Sequence, residues 1–123
     1  MATLTAMGHR LLIVDDNPGF RLRARRRLES AGFTVVAEAV DGRSALEAVR
    51  EHRPGVVLLD VGLPDVSGLA VARQLAGDPG APAVVLTSTR HPADYGGAIE
   101  RSGARGFVAK DELSGPALER ALA

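Results

Sequence analysis

The sequence predicts an α/β fold, in which a doubly wound, five-stranded parallel sheet is covered by five helices, (βα)5. Five short apolar runs recur along the chain, and helix-like segments separate them. The runs do not alternate with polar residues, which is typical of strands buried on both faces. Each parallel pair of strands also needs a crossover helix. The 123 residues suffice for one such domain.

The first strand is predicted at Leu11–Val14. A helix follows from Pro18, because proline is favoured in a first helical turn, and Gly32 ends it. Thr34–Ala37 is rich in β-branched residues and is the second predicted strand. One face of the helix is apolar at helical spacing: Phe20, Ala24, Leu28 and Ala31.

The second helix is predicted from Gly42 to about His52. Pro54-Gly55 then turns the chain into the third strand, Val56–Leu59. Ser67-Gly68 opens the third helix, and Gly77 ends it.

The fourth strand is predicted at Ala83–Leu86. A weak helix follows within Ala93–Arg101, where Gly96-Gly97 lowers the helix propensity. Phe107–Ala109 is the fifth strand, and Leu113–Leu122 contains the last helix.

The composition excludes several classes of protein. Fifteen basic residues balance fifteen acidic ones, so we expect no direct binding of nucleic acid. The absence of cysteine excludes disulfide scaffolds, thiolate zinc sites and cysteine nucleophiles. No apolar run approaches the length of a membrane span, and no signal peptide begins the chain. We therefore expect a cytoplasmic domain at residues 9–123, after a loose tail at 1–8, with no membrane partner.

Side chains that carry chemistry follow four of the five predicted strands. Asp15 and Asp16 follow the first strand, Asp60 the third, Thr87 the fourth and Lys110 the fifth. Ligands of open α/β sheets bind beyond the carboxyl ends of the strands. Clustered carboxylates need positive charge nearby, and oxygen ligands beside a phosphate suit Mg²⁺. A carboxylate in such a site can form an aspartyl phosphate, with the ammonium and the hydroxyl contacting the phosphoryl oxygens.

The use of basic residues supports this site. The chain has fourteen arginines and a single lysine, Lys110. Lysine is a compact point charge, whereas arginine is a wide planar fork. The position of the one lysine also has a chance explanation, so it supports the site without proving it.

Four segments together resemble the receiver domain of bacterial two-component response regulators, over about residues 9–123. The resemblance implies a flavodoxin-like (βα)5 fold. The segments, in their order along the chain, are Ile13–Asp16, Asp60–Pro64 with Ser67–Leu69, Leu86–Ser88 and Gly103–Lys110.

The resemblance implies that Asp60 is the phosphoacceptor. Asp15, Asp16 and Asp60 would hold Mg²⁺ together with the backbone carbonyl of Gly62. Thr87 matches the hydroxyl that moves to the phosphoryl group, and Lys110 matches the active-site cation. The implied partner is a sensor histidine kinase.

Several positions vary within the family. Phe107 matches the aromatic residue of the switch, but it lacks the hydroxyl of the frequent tyrosine. Ser88 is small, as access to the phosphoacceptor requires. Gly62 and Thr89 occupy the two positions that influence hydrolysis of the phosphoryl group.

The Lys110-Asp111 step is similar to the subfamily that carries a C-terminal LuxR/NarL-type helix-turn-helix, which would begin beyond Ala123. Phosphorylation would then change the surface of the fourth helix, fifth strand and fifth helix. It would control transcription or a partner, and homodimerisation on phosphorylation is a further hypothesis.

Three other functions remain open on the sequence. They are a phosphorylation-independent interaction module, a Mg²⁺-dependent aspartyl phosphatase and a flavin-nucleotide protein of the same fold. Asp15-Asp16 would alternatively cap the first helix, and Asp60 would be a turn residue. The arginines at 21, 23 and 25–27 are interpreted as a solvated helix face.

Overall fold

A computed structural model describes residues 9–123. The predicted tail at residues 1–8 lies outside the described residues. Five parallel strands form one sheet in the order β2-β1-β3-β4-β5, which confirms the predicted fold class. The strands are β1 (Arg10–Val14), β2 (Thr34–Ala39), β3 (Val56–Asp60), β4 (Ala83–Ser88) and β5 (Gly106–Ala109).

Five α-helices connect or follow the strands. They are α1 (Pro18–Ser30), α2 (Gly42–His52), α3 (Gly68–Ala76), α4 (Ala98–Arg101) and α5 (Gly115–Leu122). Two 3₁₀ turns, Pro92–Tyr95 and Lys110–Glu112, precede α4 and α5. None of the described helices is long and apolar enough to cross a membrane.

The sheet separates two hydrophobic cores because successive strand residues point to opposite faces. Leu11 and Leu58 face the core beneath α1 and α5. Leu12 and Leu59 face the core beneath α2, α3 and α4. The central strands are therefore buried on both sides, as their non-alternating sequence predicts.

Several predicted boundaries differ from the structure. β4 continues to Ser88, two residues beyond its predicted end, and β1, β3 and β5 are each one residue longer than predicted. β2 continues to Ala39, two residues beyond the apolar run, because its hydrogen bonds to β1 extend that far. The predicted fourth helix divides into a 3₁₀ turn and α4, with Gly96 between them at φ 58°. A left-handed φ interrupts a helix, and glycine adopts it without strain.

The last helix begins at Gly115 and not at Leu113. Ser114 is the N-cap, and its hydroxyl accepts a hydrogen bond from the Ala117 amide at 3.1 Å. Leu113 is buried in the core although it precedes the helix. Ala31 was also predicted on the apolar face of the first helix, but it follows the last residue of α1 and is exposed.

Candidate functional site

The strand register brings the predicted site residues to one edge of the sheet. Asp60 is the last residue of β3 and lies opposite Thr87 of β4. Thr87 in turn lies opposite Val108 of β5, two residues before Lys110. Asp15 follows β1, which pairs with β3. Side chains from four strands therefore meet at their carboxyl ends, where open α/β sheets bind ligands.

Lys110 joins two of the three carboxylates. Its Nζ lies 2.6 Å from Asp15 Oδ2 and 3.1 Å from Asp60 Oδ2. The same ammonium lies 4.8 Å from the centre of the Phe20 ring, a cation–π distance. The side chains of Asp15 and Asp60 are 0% and 7% exposed, so the ion pairs are largely shielded from water.

Burial and charge act in opposite directions on these groups. Burial raises the pKa of Asp60, and the neighbouring Asp15 charge raises it further, although the Gly62 amide and Lys110 partly offset both effects. Burial alone would lower the pKa of Lys110, but its contacts with Asp15 and Asp60 outweigh burial and raise it. The ammonium therefore remains protonated at neutral pH, and it balances only part of the charge of the acid cluster.

The acid cluster offers oxygen ligands for a hard cation. Asp15, Asp16 and Asp60 each present a carboxylate oxygen within 4.8 Å of the others. Asp16 is exposed, which leaves room for water or a phosphate on its side. The amide of Gly62 donates to Asp60 Oδ1 at 3.1 Å, which brings that residue's backbone to the cluster. An all-oxygen set of this kind fits Mg²⁺.

Capping does not explain the acidic pair. The N-cap of α1 is Asn17, whose side chain accepts a hydrogen bond from the Phe20 amide at 3.0 Å. Asp15 Oδ1 accepts from the Asn17 amide at 2.8 Å, and its Oδ2 contacts Lys110. Asp15 therefore orders the loop after β1 while its second oxygen faces the cluster.

The β4 end provides a hydroxyl with no partner. Thr87 is fully buried, and its Oγ1 has no hydrogen-bond partner among the described residues. An unpaired buried hydroxyl costs about 1–3 kcal/mol. Thr89, two residues further on, is exposed and lines a groove of about 590 Å³ that Phe20 and Lys110 also line.

Tyr95 makes a contact that the sequence did not predict. Its hydroxyl lies 2.6 Å from Ser88 Oγ, which also accepts a hydrogen bond from the Arg90 amide at 2.9 Å. Phe107 is half-buried and, like Tyr95, packs against the core beneath α3 and α4. Tyr95 is the only tyrosine of the chain, but sequence spacing gives no sign that its hydroxyl reaches β4.

Four further charged side chains make contacts around the site: Arg21, Arg25, Glu38 and Asp65. Arg21 donates to the Asp15 carbonyl at 2.7 Å and to Glu38 at 2.9 Å. Arg25 also pairs with Glu38, at 2.8 Å. Part of the arginine run is therefore paired within the domain and is not wholly a solvated face. Asp65, in the loop after β3, accepts from two amides of α2.

Comparison with known proteins gives a consistent result. A family model described as the response regulator receiver domain matches residues 11–122. The DNA-binding response regulator MtrA of Mycolicibacterium smegmatis is 41% identical over 107 residues, covering 87% of this chain and 46% of MtrA. The chemotaxis protein CheY of Thermotoga maritima is 33% identical over 105 residues, covering 85% of this chain and 87% of CheY.

A solved structure of a LuxR-family two-component response regulator from Aurantimonas sp. SI85-9A1 is also similar. It has a TM-score of 0.77 and 32% identity, and the match covers 83% of this chain and 74% of that one. This chain spans about half the length of the curated transcription regulators it matches.

Proposed function

This chain belongs to the response regulator receiver domain family, and we propose that Asp60 accepts a phosphoryl group from a sensor histidine kinase. The observation that carries the proposal is the position of Lys110, whose ammonium contacts both Asp15 and Asp60 at the carboxyl end of the sheet. A buried carboxylate beside a cation, with an open side toward solvent, suits transfer of an anionic group.

The transfer begins with the ionised Asp60 carboxylate. One of its oxygens attacks the phosphorus and forms an acyl phosphate bond, while the P–N bond to the donor histidine breaks. The imidazole leaves with the electron pair and takes a proton from water. Lys110 stabilises the charge on the phosphoryl oxygens, and the half-buried position of its ammonium strengthens that interaction.

We further propose that Asp15, Asp16 and Asp60 hold Mg²⁺ with the Gly62 carbonyl. A divalent cation bound there neutralises charge on the carboxylates and on the phosphoryl oxygens. Two features support this assignment. The ligand atoms are all oxygens, and the three carboxylates each have an oxygen within 4.8 Å of the others.

The response to phosphorylation is proposed to begin at Thr87. Its unpaired buried hydroxyl gains a partner when it bonds the new phosphoryl oxygens, which favours the phosphorylated arrangement. Ser88 leaves space for that group, and Phe107 repacks as Thr87 moves. The change reaches the surface of α4, β5 and α5, through which the domain controls an output or forms a homodimer.

Two observations bear on the alternatives. A Cβ at position 62 would meet no atom within 4 Å other than those of its chain neighbours, so there is open space beside the Gly62 backbone. An aspartyl phosphatase of small molecules usually needs a second acid at that position, and Gly62 provides none. The acid cluster with its single ammonium also favours a phosphoacceptor over an interaction module that works without phosphorylation. Gly62 and Thr89 are proposed to influence how fast the phosphoryl group is hydrolysed.

The test uses a small phosphodonor. With Mg²⁺ and acetyl phosphate, the wild-type domain is expected to gain the mass of one phosphoryl group, and Asp60→Ala is expected to gain none. Asp78→Asn, which alters an exposed carboxylate outside the cluster, serves as the control. Equal labelling of Asp60→Ala and wild type would reject the assignment.

Dimerisation is tested separately. Light scattering after size exclusion, with and without beryllofluoride and Mg²⁺, is expected to show a larger mass for the loaded domain. Identical masses in the two conditions would contradict a phosphorylation-dependent dimer.

A further inference from the structure

The loop between β3 and α3, residues 61–67, is tied to α2 by one carboxylate. Asp65 Oδ1 accepts a hydrogen bond from the Gly42 amide at 2.8 Å, and Oδ2 accepts from the Arg43 amide at 3.0 Å. Among the described residues, no other hydrogen bond joins residues 62–66 to an element beyond the adjoining β3 and α3. The middle of this loop therefore depends on Asp65 for its polar contact with the rest of the domain.

Glycine at position 42 allows the close approach. Gly42 is buried, and a Cβ there would overlap Val66 Cγ2 and lie 3.0 Å from Val71 Cγ2. Such contacts are too short, so for any larger residue the Val66 side chain or the loop itself would have to move. The absence of a side chain at 42 and the carboxylate at 65 thus act together to fix the distance between loop and helix.

The helix itself has another cap. Asp41 is the N-cap of α2, and its Oδ1 accepts from the Ser44 amide at 2.8 Å. Ser44 Oγ accepts in return from the Asp41 amide at 3.2 Å, which completes a capping box. The bonds from Asp65 are additional to this motif, so their main structural effect falls on the loop.

The tied loop contains Gly62, whose backbone contacts the acid cluster. Gly62 lies two residues after Asp60 and donates its amide to Asp60 Oδ1 at 3.1 Å. The hydrogen bond from the Gly42 amide lowers the pKa of Asp65, so the Asp65 carboxylate is ionised at neutral pH. A negative carboxylate at the N-terminus of α2 also interacts favourably with the helix dipole.

We propose that Asp65 is a positioning residue for phosphoryl transfer, holding the β3–α3 loop so that the Gly62 backbone stays beside Asp60. The inference rests on the proposed function, in which the Gly62 carbonyl is a Mg²⁺ ligand. Asp65 itself contacts neither the phosphoryl group nor the cation. It acts through the loop.

The first experiment measures Mg²⁺ affinity by NMR titration of the whole domain. Asp65→Ala is expected to weaken binding about tenfold, as is common when a group that orients a ligand is lost. Asp65→Asn keeps an oxygen acceptor for the Gly42 amide and is expected to stay within about threefold of wild type.

Asp41→Ala is the matched control, because it removes the N-cap of the same helix without touching the loop. It is expected to lower the melting temperature at least as much as Asp65→Ala while changing Mg²⁺ affinity less than about twofold. Equal losses of affinity in Asp65→Ala and Asp41→Ala would overturn the proposal, since they would show a general effect of α2.

The second experiment needs no ligand. Without Mg²⁺, Asp65→Ala is expected to accelerate hydrogen exchange of the Gly62 amide about tenfold relative to wild type and to Asp41→Ala. Unchanged exchange would overturn the positioning role. If the wild type itself fails to bind Mg²⁺, the proposed function fails, and this measurement still decides whether Asp65 holds the loop.

Discussion

The centre of the sheet and its outer margin differ in how firmly they are held. In the centre, every residue of β3 and four of the five residues of β1 are buried, and each strand has hydrogen-bonded neighbours on both sides. At the margin, β5 is an edge strand with one buried residue among four, and α4 has only four residues. We call residues 89–109 the outer segment.

The acid cluster belongs to the centre and the proposed response to the outer segment. Asp15 and Asp60 lie at the ends of β1 and β3, two buried strands that pair at the centre of the sheet, so their separation is fixed by the core. Ser88 and Tyr95 join the outer segment to β4 by one short hydroxyl contact. Rigid elements suit precise chemistry, whereas weakly packed elements rearrange at low cost. We infer that phosphoryl transfer depends on the rigid central strands, whereas the proposed conformational response takes place in the outer segment.

The largest expected effect comes from removing the cation at the centre. Lys110→Ala is expected to slow labelling by acetyl phosphate at least about 100-fold, because no other described residue places a cation against Asp60. Lys110→Arg is expected to fail as well, since a planar guanidinium does not fit between two carboxylates spaced for an ammonium. Intact-mass kinetics measure both rates, with Arg90→Ala as the control on the outer segment.

If Lys110→Ala were labelled by acetyl phosphate at a rate within about threefold of wild type, the proposed role of the ammonium in phosphoryl transfer would be wrong.

Core substitutions in β3 and in α4 compare how much each region contributes to the free energy of unfolding. Leu58→Ala, in fully buried β3, is expected to cost about 3–5 kcal/mol, because its neighbours cannot close the cavity. Ile99→Ala, in the four-residue α4, is expected to cost about 2 kcal/mol, because a short helix can relax into the space. Denaturant unfolding of the two variants gives both values. Equal costs would mean that the outer segment is packed as firmly as the centre.

The raised pKa of Asp60 predicts a pH-dependent stability. A carboxyl group whose pKa is raised by folding binds its proton more tightly in the folded state, so its ionisation costs stability. The cost is absent below the ordinary value of 3.8 and complete above the raised one. Asp60→Asn is therefore expected to be more stable than wild type at neutral pH.

Thermal unfolding across pH measures this effect, and the gain should shrink as the pH approaches the ordinary value for Asp. Asp78→Asn, at an exposed position, should stay within about 0.5 kcal/mol of wild type. A variant Asp60→Asn that is less stable than wild type at neutral pH would show that the Lys110 contact outweighs burial.

The smallest expected effect concerns the outer segment. Tyr95→Phe removes the hydroxyl contact with Ser88 but keeps the ring in the core, so the loss of global stability is expected to be about 1 kcal/mol or less. Hydrogen exchange should accelerate in residues 92–101 and remain unchanged in β3. Acceleration in both regions would contradict a local role for Tyr95.

Most of the fold was predictable because buried strands and helices have characteristic patterns of apolar residues in the sequence. The non-alternating runs identified all five strands, and the glycines and prolines identified most helix ends. The errors lie at element boundaries that tertiary contacts decide and residue type does not. Leu113 is buried like a helical core residue but precedes the N-cap, and the apolar pattern does not distinguish the two situations. The extension of β2 to Ala39 likewise depends on pairing with β1.

The candidate site was predictable in its membership but not in its contacts. Asp60 and Thr87 lie at the carboxyl ends of their strands and Lys110 directly follows β5, so parallel topology alone brings them to one edge. Asp65 and Tyr95 lie in connecting segments, where the sequence has no regular period from which the direction of a side chain could be predicted. Their partners in α2 and β4 are 23 and 7 residues away, respectively.

The sequence by itself determined the order of the elements, the two-sided burial of the sheet and the identity of the groups at its carboxyl edge. These properties follow from residue type and position along the chain. Only the tertiary structure decided that one ammonium contacts two carboxylates, that Asp65 ties a loop to α2 and that Tyr95 reaches Ser88. Such contacts join different elements of the fold, and their distances are set by how the helices and loops pack against the twisted sheet.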